Sequence, residues 1–70
     1  MSERISNKVQ ELRTAAGMTQ ENLAEVVNVS RQTIIAIEKG NYSPSVLLAL
    51  KIARCFKMPV EKVFFISYEK

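Results

Sequence analysis

The stretch Thr19-Gln20-Glu21-Asn22-Leu23-Ala24-Glu25-Val26-Val27-Asn28-Val29-Ser30-Arg31-Gln32-Thr33-Ile34-Ile35-Ala36-Ile37-Glu38-Lys39-Gly40 carries the clearest structural signal in the chain. Thr19 reads as the N-cap of a helix, with Glu21 well placed in its first turn. Leu23, Ala24 and Val27 then give that helix an inner face. Asn28 follows, and asparagine is the residue after glycine that best accepts a left-handed turn. Val29 is apolar again, Ser30 caps a further helix beginning at Arg31, and Gly40 stops it after Lys39. Two short helices are thus joined by a turn of about three or four residues, which forces them to cross steeply. Ala24 falls where the first helix must approach the second closely. Leu23, Val27, Val29, Ile34 and Ile37 fall where the pair must bury itself against the rest of the chain.

Glycine and proline punctuate the remainder. Ahead of Gly17, the residues Ile5, Val9, Leu12 and Ala16 step at helical spacing, and Gly17 suits the position just past a helix end. After the loop Gly40-Asn41-Tyr42-Ser43-Pro44, either Ser43 or Ser45 caps a fourth helix, whose inner stripe reads as Val46, Ala49, Leu50, Ala53 and Phe56. Pro59 is expected to open a short fifth helix carrying Val60, Val63 and Phe64. The tail over residues 65–70 alternates enough for a short strand but also suits a frayed end. The predicted class is all-α: five short helices, with a helix-turn-helix at helices two and three (residues 20–39) and a possible short C-terminal strand. One domain is expected over residues 1–70.

Composition narrows the function. Seventy residues leave no room for a second domain and bury a modest core, so stability is expected to be marginal. Cys55 is the single cysteine and there is no histidine, so neither an internal disulfide nor a zinc-finger spacing is present. The apolar share of 47% excludes a disordered chain. The apolar runs at residues 46–50 and 63–66 are too short to span a bilayer, and no apolar stretch follows the charges of the N-terminus, so a cytoplasmic location is expected. With no glycine-rich phosphate loop, nucleophile motif or paired carboxylates, an enzyme is not expected, nor a metal, cofactor or small-molecule ligand. A net charge of +3 suits an anionic partner without requiring one.

The third helix carries the functional signal. At about 100° per residue, Ile34 and Ile37 share one side, while Gln32, Ile35 and Ala36 point the other way and Arg31 stands at the N-terminal edge. An exposed isoleucine is poor chemistry for a solvated face but suits thymine methyl groups in a major groove. Gln32 suits bidentate bonding to adenine, and Arg31 reaches a guanine edge or a phosphate.

The segments Thr19-Gln20-Glu21-Asn22-Leu23-Ala24, Val29-Ser30-Arg31-Gln32-Thr33-Ile34 and Ile37-Glu38-Lys39-Gly40 resemble the Cro/repressor-type (XRE) helix-turn-helix family. The likeness spans roughly residues 5–64 and is strongest to short stand-alone repressors such as that of the cytolysin operon. The departures are Asn28, where glycine is frequent, and Ile35, where polar residues are common. The resemblance implies that Arg31, Gln32, Thr33 and Ala36, with Ile35, lie in the major groove. It places Gln20 and Ser30 at backbone phosphates, with Lys39, Asn41, Tyr42 and Ser43 along the adjacent strand. It also implies a partly buried structural salt bridge between Arg13 and Glu38.

Val60, Val63, Phe64, Phe65, Ile66 and Tyr68 supply more apolar surface than so small a core needs. They are expected to form a symmetric homodimer interface within a dimerisation region at residues 58–70, or in part to close the monomer core. In related short regulators the chain termini pair as strands in the dimer, which would add residues 2–5. Such a dimer would set two recognition helices about 34 Å apart on a palindromic operator. The function read from the sequence is therefore a DNA-binding transcriptional regulator, in the first place a repressor, with double-stranded DNA as partner and no membrane. The rival readings are an antitoxin-type regulator and a protein-interaction module that leaves DNA alone. Lys8, Lys51 and Arg54 read as solvated, Met18 and Met58 as fillers, and Cys55 as an inert thiol.

Overall fold

Every helix in the computed structural model, which describes residues 2–69, ends in the same way. At each C-terminus the residue just past the helix turns left-handed: Gly17 (φ 71°), Asn28 (φ 62°), Gly40 (φ 79°) and Lys57 (φ 57°). The amide after it reaches back five residues: Met18 to Arg13, Val29 to Ala24, Asn41 to Ala36 and Met58 to Ala53, at 2.9–3.0 Å. This is the Schellman arrangement, which satisfies carbonyls that a helix end leaves unpaired. The starts are equally explicit. Thr19 Oγ1 accepts from the Asn22 amide at 3.0 Å while Asn22 Oδ1 accepts from the Thr19 amide at 3.1 Å, a reciprocal capping box. Ser30 accepts from the Thr33 amide at 3.2 Å and Ser45 from the Leu48 amide at 3.1 Å.

The order along the chain is β1 (Ser2–Asn7), α1 (Val9–Ala15), α2 (Gln20–Val27), α3 (Arg31–Glu38), α4 (Val46–Cys55), a 3₁₀ turn (Val60–Lys62) and β2 (Phe64–Glu69). The all-α, five-helix expectation is therefore wrong: the described residues hold four α-helices and a two-stranded antiparallel sheet. The segment after Pro59 is one 3₁₀ turn rather than a fifth helix. So short a stretch does not recover the cost of nucleating a helix, and the β-branched and aromatic run that follows favours a strand. The tail takes the strand form, β2, as far as Glu69; Lys70, like Met1, lies outside the described residues.

Ile5 was expected on the first helix and instead lies in β1, opposite Ile66. The change occurs at Asn7 and Lys8. Asn7 Oδ1 accepts from the Val9 amide at 3.1 Å, which bends the chain out of the strand, and Asn7 Nδ2 donates to the Ile37 carbonyl at 2.9 Å. The Lys8 amide donates to the Val63 carbonyl at 2.9 Å. An isolated two-stranded ribbon is marginal in water; these bonds tie this one to the helices.

The core comprises Val9, Leu23, Ala24, Val27, Ile34, Ile37, Leu48, Ile52, Ala53 and Val63, one apolar cluster drawn from all four helices and the start of β2's approach. The fourth helix is phased differently from expectation. Ala53 is buried and Phe56 packs against the core as expected, but Val46 is 77% and Leu50 50% exposed, and Leu48 and Ile52 point inward in their place. The first half of α4, Val46-Leu47-Leu48-Ala49-Leu50, is apolar on every side, so its periodicity carries no unique phase.

Candidate nucleic-acid interface

Ile34 and Ile37 are wholly buried and hold α3 against the core through one face. Arg31 and Gln32 are exposed on the helix's first turn, where the Ser30 cap fixes the backbone direction. Thr33, Ile35 and Ala36 are half-buried. Ile35 is thus less open than the sequence suggests, and its face is partly covered before any partner arrives. Ser30 is exposed, and its oxygen is engaged by the Thr33 amide and, at 3.0 Å, by the Thr33 hydroxyl. Lys39, Asn41, Tyr42 and Ser43 are all exposed in the loop after α3, which Gly40 launches in the left-handed region. A side chain at Gly40 would meet strain from φ and would stand 3.2 Å from Arg4 Nη2.

Behind this surface lies a charged cluster that joins three helices. Arg13 on α1 is a charged residue buried within the fold. Its Nε donates to Glu38 Oε2 at 2.7 Å, its Nη2 to Glu38 Oε1 at 3.2 Å and its Nη1 to the Met18 carbonyl at 2.8 Å. The two side chains are 10% and 4% exposed. Gln20, the first residue of α2, adds a third donor, with Nε2 3.0 Å from Glu38 Oε1. This last bond has no local sequence signal, because its partners are 18 residues apart on different helices. Gln20 also lines an open polar cleft with Arg13, Met18, Thr19, Glu21 and Arg31, so the starts of α2 and α3 share one solvent-filled space.

The six residues expected at a dimer interface do not form one patch. Val63 is wholly buried, and Val60 and Phe64 are half-buried. Strand alternation puts Phe64, Ile66 and Tyr68 on the ribbon face that also carries Asn7, Ile5 and Glu3, while Phe65 falls on the other face opposite Ser6. The exposed apolar surface is instead extended by Ile5, which the expected strand pairing of residues 2–5 had offered, and by Val46 and Leu50 of α4, which were expected to face inward. Ile5, Val46 and Leu50, with Pro44, Ala49, Val60 and Phe64, border a cleft of about 240 Å³ with almost entirely apolar walls. The uninterrupted apolar run at residues 46–50 was the available signal.

No helix among the described residues is long and apolar enough to cross a membrane. Those residues contain no group of three or more metal-ligating side chains.

The helix-turn-helix family model matches residues 9–63. The chain is 55% identical over 65 residues to the uncharacterised HTH-type transcriptional regulator YgzD of Bacillus subtilis, covering 93% of this chain and 98% of that one. It is 31% identical over 59 residues to the cryptic phage CTXphi transcriptional repressor RstR of Vibrio cholerae, covering 84% of this chain and 53% of the repressor. Among solved structures, the transcriptional regulator VanUg superposes with a TM-score of 0.79 at 26% identity, over 99% of this chain and 92% of that one, and the restriction-modification controller protein C.AhdI of Aeromonas hydrophila with a TM-score of 0.73 at 31% identity, over 79% of this chain and 83% of that one.

Proposed function

Because the chain belongs to the helix-turn-helix family of Cro/repressor-type (XRE) transcriptional regulators, we propose that it is a repressor that grips a palindromic operator as a homodimer, with α3 in the major groove. The observation that carries this reading is the arrangement of α3. The helix is capped at both ends, anchored by two wholly buried isoleucines, and presents Arg31 and Gln32 to solvent on its first turn. Residues at the N-terminal end of a recognition helix are the ones that meet base edges. In this reading Gln32 bonds adenine, Arg31 reaches a guanine or a phosphate, and Thr33, Ile35 and Ala36 meet the groove floor. Gln20, Ser30, Lys39, Asn41, Tyr42 and Ser43 hold the flanking backbone, and a cation there releases counterions, making affinity salt-dependent. The seventy residues work as one DNA-binding domain in the cytoplasm, by occupancy rather than catalysis. Repression draws support from the name of the RstR relative.

The homodimer uses the apolar surface around the cleft. Ile5, Val46, Leu50, Ile66 and Tyr68 are 41–77% exposed. Together they offer on the order of 500 Å² of apolar surface, as large as the largest patch of a typical monomer. Doubled across a two-fold axis this is about 1,000 Å² before a polar rim is added, near the lower bound for a stable interface. Residues 58–70 then supply only part of the dimer surface, and α4 and β1 supply the rest.

The test is a paired substitution, Gln32→Ala with Ile35→Ala, measured by fluorescence anisotropy against the duplex that the parent prefers. Loss of one bidentate contact costs about 1–3 kcal/mol, or roughly 5- to 150-fold in affinity. The reading expects at least that loss with an unchanged circular dichroism spectrum. A folded variant that binds the same duplex as tightly as the parent overturns it.

A further inference from the structure

We propose that Glu38 is a positioning residue for DNA-backbone recognition: its buried carboxylate fixes the Gln20 side-chain amide with one N–H left for a phosphate. The inference rests on the DNA-binding reading above and adds to it a residue that does not touch DNA. A carboxylate only accepts hydrogen bonds, so the end of the Gln20 amide that meets Glu38 must be its nitrogen. One N–H of Nε2 is held at 3.0 Å from Oε1, and the other remains available. A glutamine on a helix surface ordinarily samples many rotamers and presents either end of its amide; this one is fixed as a donor before DNA arrives.

Arg13 makes the arrangement compatible with a polyanion. A lone carboxylate beside the start of α2 would repel a phosphate. Here two guanidinium N–H groups, at 2.7 and 3.2 Å, balance its charge, and the Glu38 side chain is 4% exposed. The carboxylate thus has three donors on its two oxygens, which leaves it strongly directional and nearly neutral toward solvent. Gln20 and Arg31 line the same polar cleft, so fixing Gln20 sets the distance between a backbone contact and the first residue of the reading helix.

The experiment is a double-mutant cycle on DNA affinity with Gln20→Ala, Glu38→Gln and both together. The probe is a duplex of about 30 base pairs of arbitrary fixed sequence at low salt, where backbone contacts dominate, and a second duplex of unrelated sequence. The amide introduced by Glu38→Gln has one acceptor oxygen for three donors, and the arginine N–H groups outcompete Gln20 for it. Each single variant, held at a temperature where it is folded, is expected to bind about 3- to 10-fold more weakly on both duplexes, and the double variant no more weakly than the worse single.

The alternatives differ in sign or in additivity. If Glu38 acts only in the fold, Glu38→Gln lowers Tm and leaves affinity unchanged. If it acts only through charge, removing the carboxylate tightens binding. Losses that multiply in the double variant also refute the proposal. Should Glu38→Gln not fold, Arg13→Met with Glu38→Leu removes the carboxylate without stranding a charge, and its affinity is expected to fall as far as that of Gln20→Ala. A parent that binds neither duplex removes the DNA-binding reading and this inference together; a parent that binds, with independent losses, removes this inference alone.

Discussion

Replacing Arg13 by methionine should be among the most damaging single changes in this chain. The substitution keeps much of the volume and removes two of the three donors to Glu38, together with the bond to the Met18 carbonyl at 2.8 Å. The Glu38 side chain is 4% exposed, so its charge is left stranded with only the Gln20 amide as partner. Breaking a buried pair in this way costs about 3–5 kcal/mol. A domain of seventy residues has a total stability of about 4–10 kcal/mol. The variant should therefore lose between a third of its stability and all of it, and Tm should fall by at least about 12 °C. Urea titration followed by circular dichroism measures the first quantity and a thermal scan the second. Adding Glu38→Leu removes the stranded charge and should recover most of the loss, since apolar replacements of buried pairs are often neutral or better. A cost for Arg13→Met below about 1 kcal/mol, the range of an exposed pair, would show that the ion pair is not effectively buried.

Changes at four further positions probe the helix ends and the proposed dimer surface. Lys57 holds φ at 57° where glycine is at ease, so Lys57→Gly should stabilise the fold by about 1 kcal/mol by urea titration; Asn28→Gly, at φ 62°, should change stability by only a few tenths because asparagine tolerates the same backbone. Ser30→Ala removes the cap on α3 and should cost about 1 kcal/mol in the same assay, with Ser30→Asp retaining most of it. Leu50→Glu puts a charge into the proposed dimer surface at a half-exposed position, so sedimentation should move from dimer to monomer while the circular dichroism spectrum is kept; an unchanged sedimentation coefficient would place the dimer contact elsewhere.

How much of this was legible in the sequence follows from how local each signal is. The helices around Asn28 are written in adjacent residues: caps at Thr19 and Ser30, a left-handed asparagine between them, and apolar residues at helical steps. The sheet is not. Ser2-Glu3-Arg4-Ile5-Ser6-Asn7 has a single large apolar residue, and its strand character comes from a partner some sixty residues away in sequence, a pairing that periodicity does not report. Ile5 happened to stand at helical spacing from Val9, which drew it onto the wrong element. In α4 the signal was present but ambiguous, since a helix apolar all round does not say which side faces in; the buried pair Leu48 and Ile52 settles its phase. The same ambiguity hid the surface around Val46 and Leu50. Lys57 offered nothing to read, because lysine is an unusual residue for the left-handed position it occupies. The contact from Gln20 to Glu38 depends on the relative placement of two helices and had no sequence signature at all.

The central claim is that α3 reads a palindrome on behalf of a dimer. Offering the purified protein a pool of random duplex DNA at about physiological salt, and sequencing what it retains, tests this most directly. The expected result is recovery of an inverted repeat whose half-sites lie about one helical turn, roughly 34 Å, apart. Retention of no enriched sequence by a protein shown to be folded would contradict it.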